Sequence, residues 1–353
     1  MEMVFKYPLT PVPLSLANLN GTMNHTDKAK LLHKLEERIE SDEPRAIDIT
    51  VVDASFFMHT IQSAPQSYGK LAELLLQRLC SMSQRIDFVC DTYISPSLKD
   101  TERRRRSGTE TTFKITGPDQ RCPRDLNQAL KSSSFKTEFV HFLADEWTKE
   151  PYAAILVGHK LYLALESVCY KYEVINAAIV RDEMPTYASQ HEEADTRMIF
   201  HLANIFEESP DVNVVVRSND TDVLILLVYH VKQIRNNPKV WMDLGVASNN
   251  TRRYINISYL VSTLSPSIVD ALPGLHAFTG CDVTAAFLGK GKCRPLQLME
   301  KTSAHAETFA QLGKEKNLSQ NVQSGLEFFV CCLYGKPNLK HICELHVLFN
   351  KIY

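Results

Sequence analysis

Residues 46–53 read AIDITVVD and residues 85–91 read RIDFVCD, two near-continuous apolar runs that each close on an aspartate. A strand buried on both faces of a parallel sheet carries such a run, whereas a half-solvated strand alternates apolar and polar residues. Between them, FFMHTIQ and GKLAELLLQRLCSM place apolar residues at helical spacing. The order recurs downstream: HEEADTRMIFHLANIFEE (191–208) reads as a helix with Met198, Ile199, Leu202 and Ile205 on one stripe. The strand DVNVVVRS (211–218) follows and leads into SNDTDVLILLVYHV, a turn and a helix. YAAILVG (152–158), KLYLAL (160–165), VWMD and YINIS read as further strands, and the chain beyond Ser258 reads as helical. This alternation predicts an α/β fold with a mainly parallel central sheet and flanking helices.

Around that core, residues 1–45 read as an N-terminal extension with one helix near 27–41. From Thr92 to Lys149 the composition turns polar, basic and turn-rich (ERRRRSGTETTFKITGPDQRCPRDLNQALKSSS), an insertion closed by the amphipathic helix FKTEFVHFLADEW. The expected division is therefore an extension (1–45), an α/β domain (46–282, with 92–149 inserted) and a helical C-terminal region (283–353).

Hydrophobic residues at 44% and charged residues at 23% exclude a disordered or fibrous chain. The formal net charge of −2 supplies no global attraction to nucleic acid, so such a partner must be met by local basic patches. Nine cysteines, an odd count without a Cys-x-x-Cys pair, argue against a secreted disulfide framework. The start lacks a basic n-region and its apolar stretch is broken by Pro8, Pro11 and Pro13, and no apolar run is long enough to span a membrane. These features predict an intracellular protein without membrane association, the nucleus ranking ahead of the cytoplasm.

Ligands of open parallel sheets bind at the carboxyl ends of the strands. Acids collect there: Asp53 and Asp91 close the first two runs, Asp220 and Asp222 follow VVVRS, Glu193 and Asp195 open a helix, and Asp282 lies in the turn FTGCD. If those strands are neighbours, the carboxylates share one rim, and divalent cations would offset their repulsion. Oxygen donors favour Mg²⁺ or Mn²⁺ over zinc. Two ions about 3.5 to 4 Å apart activate a water and stabilise the leaving oxygen in phosphoryl transfer. Taken singly, each acid also reads as a turn residue, a helix cap or a first-turn acid.

The same residues resemble the flap endonuclease / XPG family of structure-specific 5′ nucleases. VVDASFFMHT (51–60) is similar to its first motif and RIDFVCDTYISPSLKDTERRRR (85–106) to its second. EEADTRM (192–198) resembles its internal acidic signature, SNDTDVLIL (218–226) its Asp-x-Asp motif, and TGCDVTAAFLGKGK (279–292) its Gly-Cys-Asp turn and helix-hairpin-helix. The five matches are collinear over about residues 46–300. The resemblance implies a PIN-like nuclease domain, with a helix-hairpin-helix-like element at 283–300. It makes Asp53, Asp91, Glu193, Asp195, Asp220, Asp222 and Asp282 the ligands of two Mg²⁺ or Mn²⁺ ions. It also implies a DNA substrate, with flaps or junctions as the structural class.

By the same resemblance Lys99 acts at the scissile phosphate from an arch, where Arg103, Arg104, Arg105 and Arg106 also contact nucleic acid. Gly289, Lys290, Gly291, Lys292 and Arg294 would bind duplex phosphates through a turn. The chain departs from the family in having about 50 residues before Asp53, Thr92 where Gly is common and Asn219 where an acid is usual. Gly117-Pro118 and Pro123 interrupt any long arch helix. Two other readings stand beside DNA cleavage: an RNA-directed nuclease, and a nuclease-like fold kept as a nucleic-acid-binding or assembly module without catalysis. Cys331, Cys332, His341, Cys343 and His346 fit no standard zinc spacing, and LEFFVCCLYG reads as a core helix.

Overall fold

The computed structural model describes residues 12–40, 42–93 and 113–345. The chain forms two compact units, one of residues 40–259 and one joining residues 1–39 to 260–353. The expected boundary at 282/283 thus stands against an observed one at 259/260, and the expected extension joins the C-terminal helices.

α1 (Ala29–Glu36) belongs to the second unit. The first unit is built on one eight-stranded sheet, ordered β5-β4-β3-β2-β1-β6-β7-β8. Its strands are β1 (Ile49–Asp53), β2 (Arg85–Val89), β3 (Lys160–Leu165), β4 (Val168–Ile175), β5 (Ala178–Glu183), β6 (Asn213–Arg217), β7 (Lys239–Leu244) and β8 (Arg253–Asn256). β3, β2, β1, β6 and β7 run parallel, while β4, β5 and β8 are antiparallel at the two edges. The α/β class with a mainly parallel sheet is therefore as the sequence predicts.

The helices of this unit are α2 (Ala54–His59), α3 (Tyr68–Cys80), α4 (Leu126–Ala129), α5 (Ser133–Glu146), α6 (Ala153–Leu156), α7 (Ala194–Glu208) and α8 (Thr221–Val231). Alternation along β1 and β2 separates the two faces. Val52, Ile86 and Phe88 join Phe57, Leu75, Phe139 and Trp147 in one buried cluster under α2, α3 and α5. Asp87, between Ile86 and Phe88, meets His201 of α7 on the other face. The region expected to be an insertion therefore supplies core from Phe113 onward, since Phe113 and Ile115 pack on this cluster and Phe135, Phe139 and Leu143 are buried in it.

Two stretches differ from the sequence expectation. YAAILVG is helical, a 3₁₀ turn at Glu150–Tyr152 followed by α6. Pro151 needs no hydrogen-bonded N–H in a first helical turn, and Ala153 and Ala154 are strong helix formers, so local preference decides an apolar run whose period is ambiguous. The β4–β5 hairpin turns on Asn176 and Ala177, both at positive φ (53° and 64°). That is the two-residue geometry in which Gly is usual, and Ala there hides the hairpin.

In the second unit, α9 (Ile257–Thr263) leads into α10 (Pro266–Phe278), α11 (Cys293–Lys301), α12 (Ser303–Ala310) and α13 (Gln320–Leu333). Rings of Phe278, Phe309 and Phe329 meet edge-on at its centre, Phe309 and Phe329 4.7 Å apart. Gly274 permits α10 to approach α12: a Cβ there would lie 2.3 Å from the Phe309 carbonyl oxygen. Residues 279–292 form turns and loop, so helix within the expected 283–300 element begins only at Cys293. Among the described residues no helix is long and apolar enough to cross a membrane.

Candidate functional site

β1 lies between β2 and β6, all three parallel, with Asp53 beside Val89 and Val52 beside Arg217. Their carboxyl ends therefore open on one edge. Asp53 is the last residue of β1 and caps α2, its Oδ1 accepting the Phe56 N–H at 3.0 Å. Its Oδ2 accepts the buried Ser218 hydroxyl at 3.0 Å. Ser218 Oγ in turn accepts the Asp220 N–H at 3.2 Å, so one hydroxyl ties the end of β1 to the turn after β6. Asp220 caps α8 through the N–H of Asp222 at 2.9 Å. The plain capping role and the clustering thus coexist in Asp53 and Asp220.

Asp91 stands two residues beyond β2 and accepts the Ala194 N–H at 2.9 Å and the Tyr93 hydroxyl at 3.2 Å. Ala194 opens α7, placing Asp91 against the helix start that carries Glu193 and Asp195. Glu193 occupies the N-cap position without a side-chain capping bond, one residue outside the helix the sequence assigns it to. Asp195, Asp220 and Asp222, all half-buried, present carboxylate oxygens within 4.8 Å of one another. Five aspartates from four segments are thereby gathered at the ends of β1, β2 and β6 and the starts of α7 and α8.

Their mutual field is visible in Asp53, which is 8% exposed. Burial, then Asp91 and Asp220, raise its pKa to about 6 against the lowering effect of the Phe56 and Ser218 bonds. An all-oxygen donor set under this repulsion suits a hard divalent cation.

The remaining expected residues belong to the helical unit or lie outside the described residues. Asp282 lies in the helical unit, where its Oδ1 is 2.9 Å from Lys28 Nζ. Gly280, ahead of it, has φ 105°, and a Cβ there would lie 2.7 Å from that of Ala286, so the turn requires glycine. Gly289 and Gly291 have positive φ with open space around them, as an exposed turn needs. Lys290 Nζ lies 4.1 Å above the Tyr334 ring, and burial followed by Arg294 pushes its pKa below the ordinary value. Lys292 corrects the expectation of a phosphate contact. It is 2% exposed, with Nζ donating to the His276 carbonyl at 2.6 Å and to Thr279 Oγ1 at 3.1 Å, so its ammonium ties the turn to α10. Lys99, Arg103, Arg104, Arg105, Arg106 and His346 lie outside the described residues.

Two contributors escape a reading by strand ends. Ser218 is one. The other is Arg197, fully buried on α7, whose Nη1 donates to the Cys90 carbonyl at 2.8 Å and to Thr92 Oγ1 at 2.9 Å. It grips the backbone before Asp91 and the side chain after it. Arg197 and His201, at i and i+4, both face the sheet, so the stripe through Met198 carries the signal when charged residues are counted on it. A scan against protein-family models returns no match, and no curated protein matches the chain.

Proposed function

We propose that the chain is a divalent-metal-dependent nuclease of PIN-like fold that hydrolyses phosphodiester bonds in DNA. The observation that carries this reading is the convergence of Asp53, Asp91, Asp195, Asp220 and Asp222 on one edge of three adjacent parallel strands. Mg²⁺ or Mn²⁺ held there would lower the pKa of an attacking water and stabilise the leaving oxygen. Asp195, Asp220 and Asp222 would supply ligand oxygens to one position, and Asp53 and Asp91 to a second. A cation held there would offset the charge repulsion that, with burial, raises the Asp53 pKa. Ser218 and the amino termini of α7 and α8 hold the acids in place. Glu193, by resemblance, completes the set.

Branched and junction DNA are the substrates that the collinear motifs suggest. Purified protein incubated with flap, hairpin and single-stranded DNA in Mg²⁺ or Mn²⁺ is expected to cleave at least one of them. Asp220→Ala and Asp222→Ala should lower the rate at least about a hundredfold, the scale on which a preorganised charge stabiliser acts. RNA versions of the substrates separate a DNA enzyme from an RNA enzyme. No cleavage of any substrate by the wild-type chain overturns the reading in favour of a noncatalytic module.

A further inference from the structure

Beside Asp91, and wholly within the sheet unit, lies a cavity of about 240 Å³ bounded by α2, the end of β2, α5 and the β3–β4 turn. Its lining divides chemically. Met58, Val140 and Leu165 give it an apolar wall, while Tyr93, Lys136 and Asp91 stand together on its polar side. Lys136 Nζ is 3.5 Å from Ser55 Oγ and 4.8 Å from the centroid of the Tyr93 ring. Tyr93 also reaches the acid site, since its hydroxyl donates to Asp91 Oδ2 at 3.2 Å. One aromatic ring thus links the ammonium to a carboxylate of the cluster.

The rim is fastened independently. His141 Nε2 lies 3.1 Å from Glu166 Oε1, and the Glu166 carbonyl accepts the Thr92 hydroxyl at 3.2 Å. Glu166 holds φ at 46°, a left-handed backbone uncommon for such a residue, in the β3–β4 turn, where its carbonyl meets the residue after Asp91.

We propose that this cavity receives one nucleotide of the substrate next to the scissile bond, with its base against Met58, Val140 and Leu165 and its phosphate at Lys136. The inference rests on the nuclease reading of the acid cluster, because that reading is what puts a phosphodiester beside Asp91. Size agrees: about 240 Å³ lies just below the range of sites for drug-sized ligands, which suits one nucleotide base. An apolar wall with a few placed polar groups is the usual make-up of a small-molecule pocket. Such a wall packs against any base, so base preference should be weak; the ammonium supplies a charge-assisted contact to phosphate.

Binding can be read without cleavage. Met58 lines the cavity and is one of nine methionines, so the full chain labelled with ¹³C at the methionine methyls reports on it, Met58→Leu assigning the signal. In Mg²⁺, titration with dAMP and with dTMP is expected to move the Met58 methyl saturably, and inorganic phosphate alone should not. Lys136→Gln should weaken nucleotide binding about tenfold or more, the worth of a hydrogen bond to a charged group, while a Mg²⁺ titration of the protein stays unchanged. Thr137→Trp, on the cavity wall, should abolish the shift. A Met58 methyl unmoved by millimolar dAMP and dTMP in the folded wild-type chain overturns the proposal, as does equal binding by Lys136→Gln. The two readings part cleanly: a shifted Met58 without cleavage of any substrate overturns the nuclease alone, and cleavage with an unmoved Met58 overturns the pocket alone.

Discussion

Asp53 and Asp87 are buried on adjacent strands of one sheet, and their surroundings are opposite. Asp87 is gripped at both oxygens by Arg85, at 2.8 and 3.1 Å, and His201 Nδ1 stands 2.8 Å from Oδ2. Burial alone would push its carboxyl up, but Arg85 and His201 outweigh burial and hold it below the ordinary value. Asp53 is bonded to two neutral donors, Phe56 N–H and Ser218 Oγ–H, with Asp91 and Asp220 as its charged neighbours, and its pKa rises. Asp243 near the end of β7 is also paired to arginine: Arg217, its cross-strand partner, reaches it at 2.5 Å and Arg252 at 2.9 Å. The sheet therefore supplies internal cations to two of its acids and leaves Asp53 and Asp91 on neutral donors at the edge where three helices begin. Carboxylates of the first kind hold the fold; those of the second kind suit a cation from outside.

The largest effect expected from this contrast is on stability. Asp87→Ala leaves the buried His201 without its carboxylate and Arg85 with Glu208 as its remaining acid, and should cost about 3 to 5 kcal/mol in urea unfolding. Asp222→Ala, which removes a half-buried member of the edge cluster, should cost little or nothing. Equal losses in the two variants would erase the distinction.

The second test uses pH. Asp53 titrates at about 6 in the folded chain against an ordinary 3.8, so the folded state holds that proton more tightly. The corresponding stability is present below about pH 4 and is lost between about pH 4 and 6, leaving a deficit of about 3 kcal/mol at neutral pH. Asp87 acts in the opposite sense, since its lowered pKa gives stability that is lost as the pH falls through the folded value. Asp53→Asn, which keeps the cap on α2, should therefore stabilise the metal-free chain near pH 7 by up to that amount, the gain fading toward pH 4. Saturating Mg²⁺ should shrink the gain by stabilising the wild type alone. A difference between the two chains that does not vary with pH would show that neither burial nor its acidic neighbours raise the Asp53 pKa.

The contrast also marks what is legible in the sequence. The apolar runs of β1, β2 and β6 announce a buried parallel centre, and an acid at or just beyond the end of each foretells the gathering of Asp53, Asp91 and Asp220. Lys292 misleads because a lysine in a glycine turn looks exposed, whereas three-dimensional closure turns it onto the His276 carbonyl. Arg197 and His201 are passed over for the converse reason: a charged residue on an apolar stripe is discounted, although the sheet face beneath α7 offers a carbonyl and a carboxylate to receive them. Asp282 follows a glycine that its turn demands and pairs with Lys28 inside the helical unit, so local geometry accounts for the shape of the turn.

Arg197 supplies a small effect on stability and sharpens the comparison most. Arg85 and Arg217 touch carboxylates, but Arg197 touches the carbonyl before Asp91 and the hydroxyl after it, and its Nε and Nη2 are buried without a bond partner. Burial pushes its pKa below the ordinary value. A guanidinium so placed contributes little net stability, because desolvation offsets its two bonds, and replacement by an apolar side chain of similar length is often neutral. Its consequence lies in holding Asp91 where the cluster needs it. Arg197→Met should therefore change the unfolding free energy by less than about 1 kcal/mol while weakening Mn²⁺ binding about 10- to 100-fold, the range seen when a group that orients a metal ligand is lost. Calorimetric titration with Mn²⁺ and urea unfolding on the same preparation separate the two quantities. A variant that unfolds more easily and binds Mn²⁺ as the wild type does would make Arg197 a core residue like Arg85; weakened binding in a stable variant would make it the link between α7 and the edge.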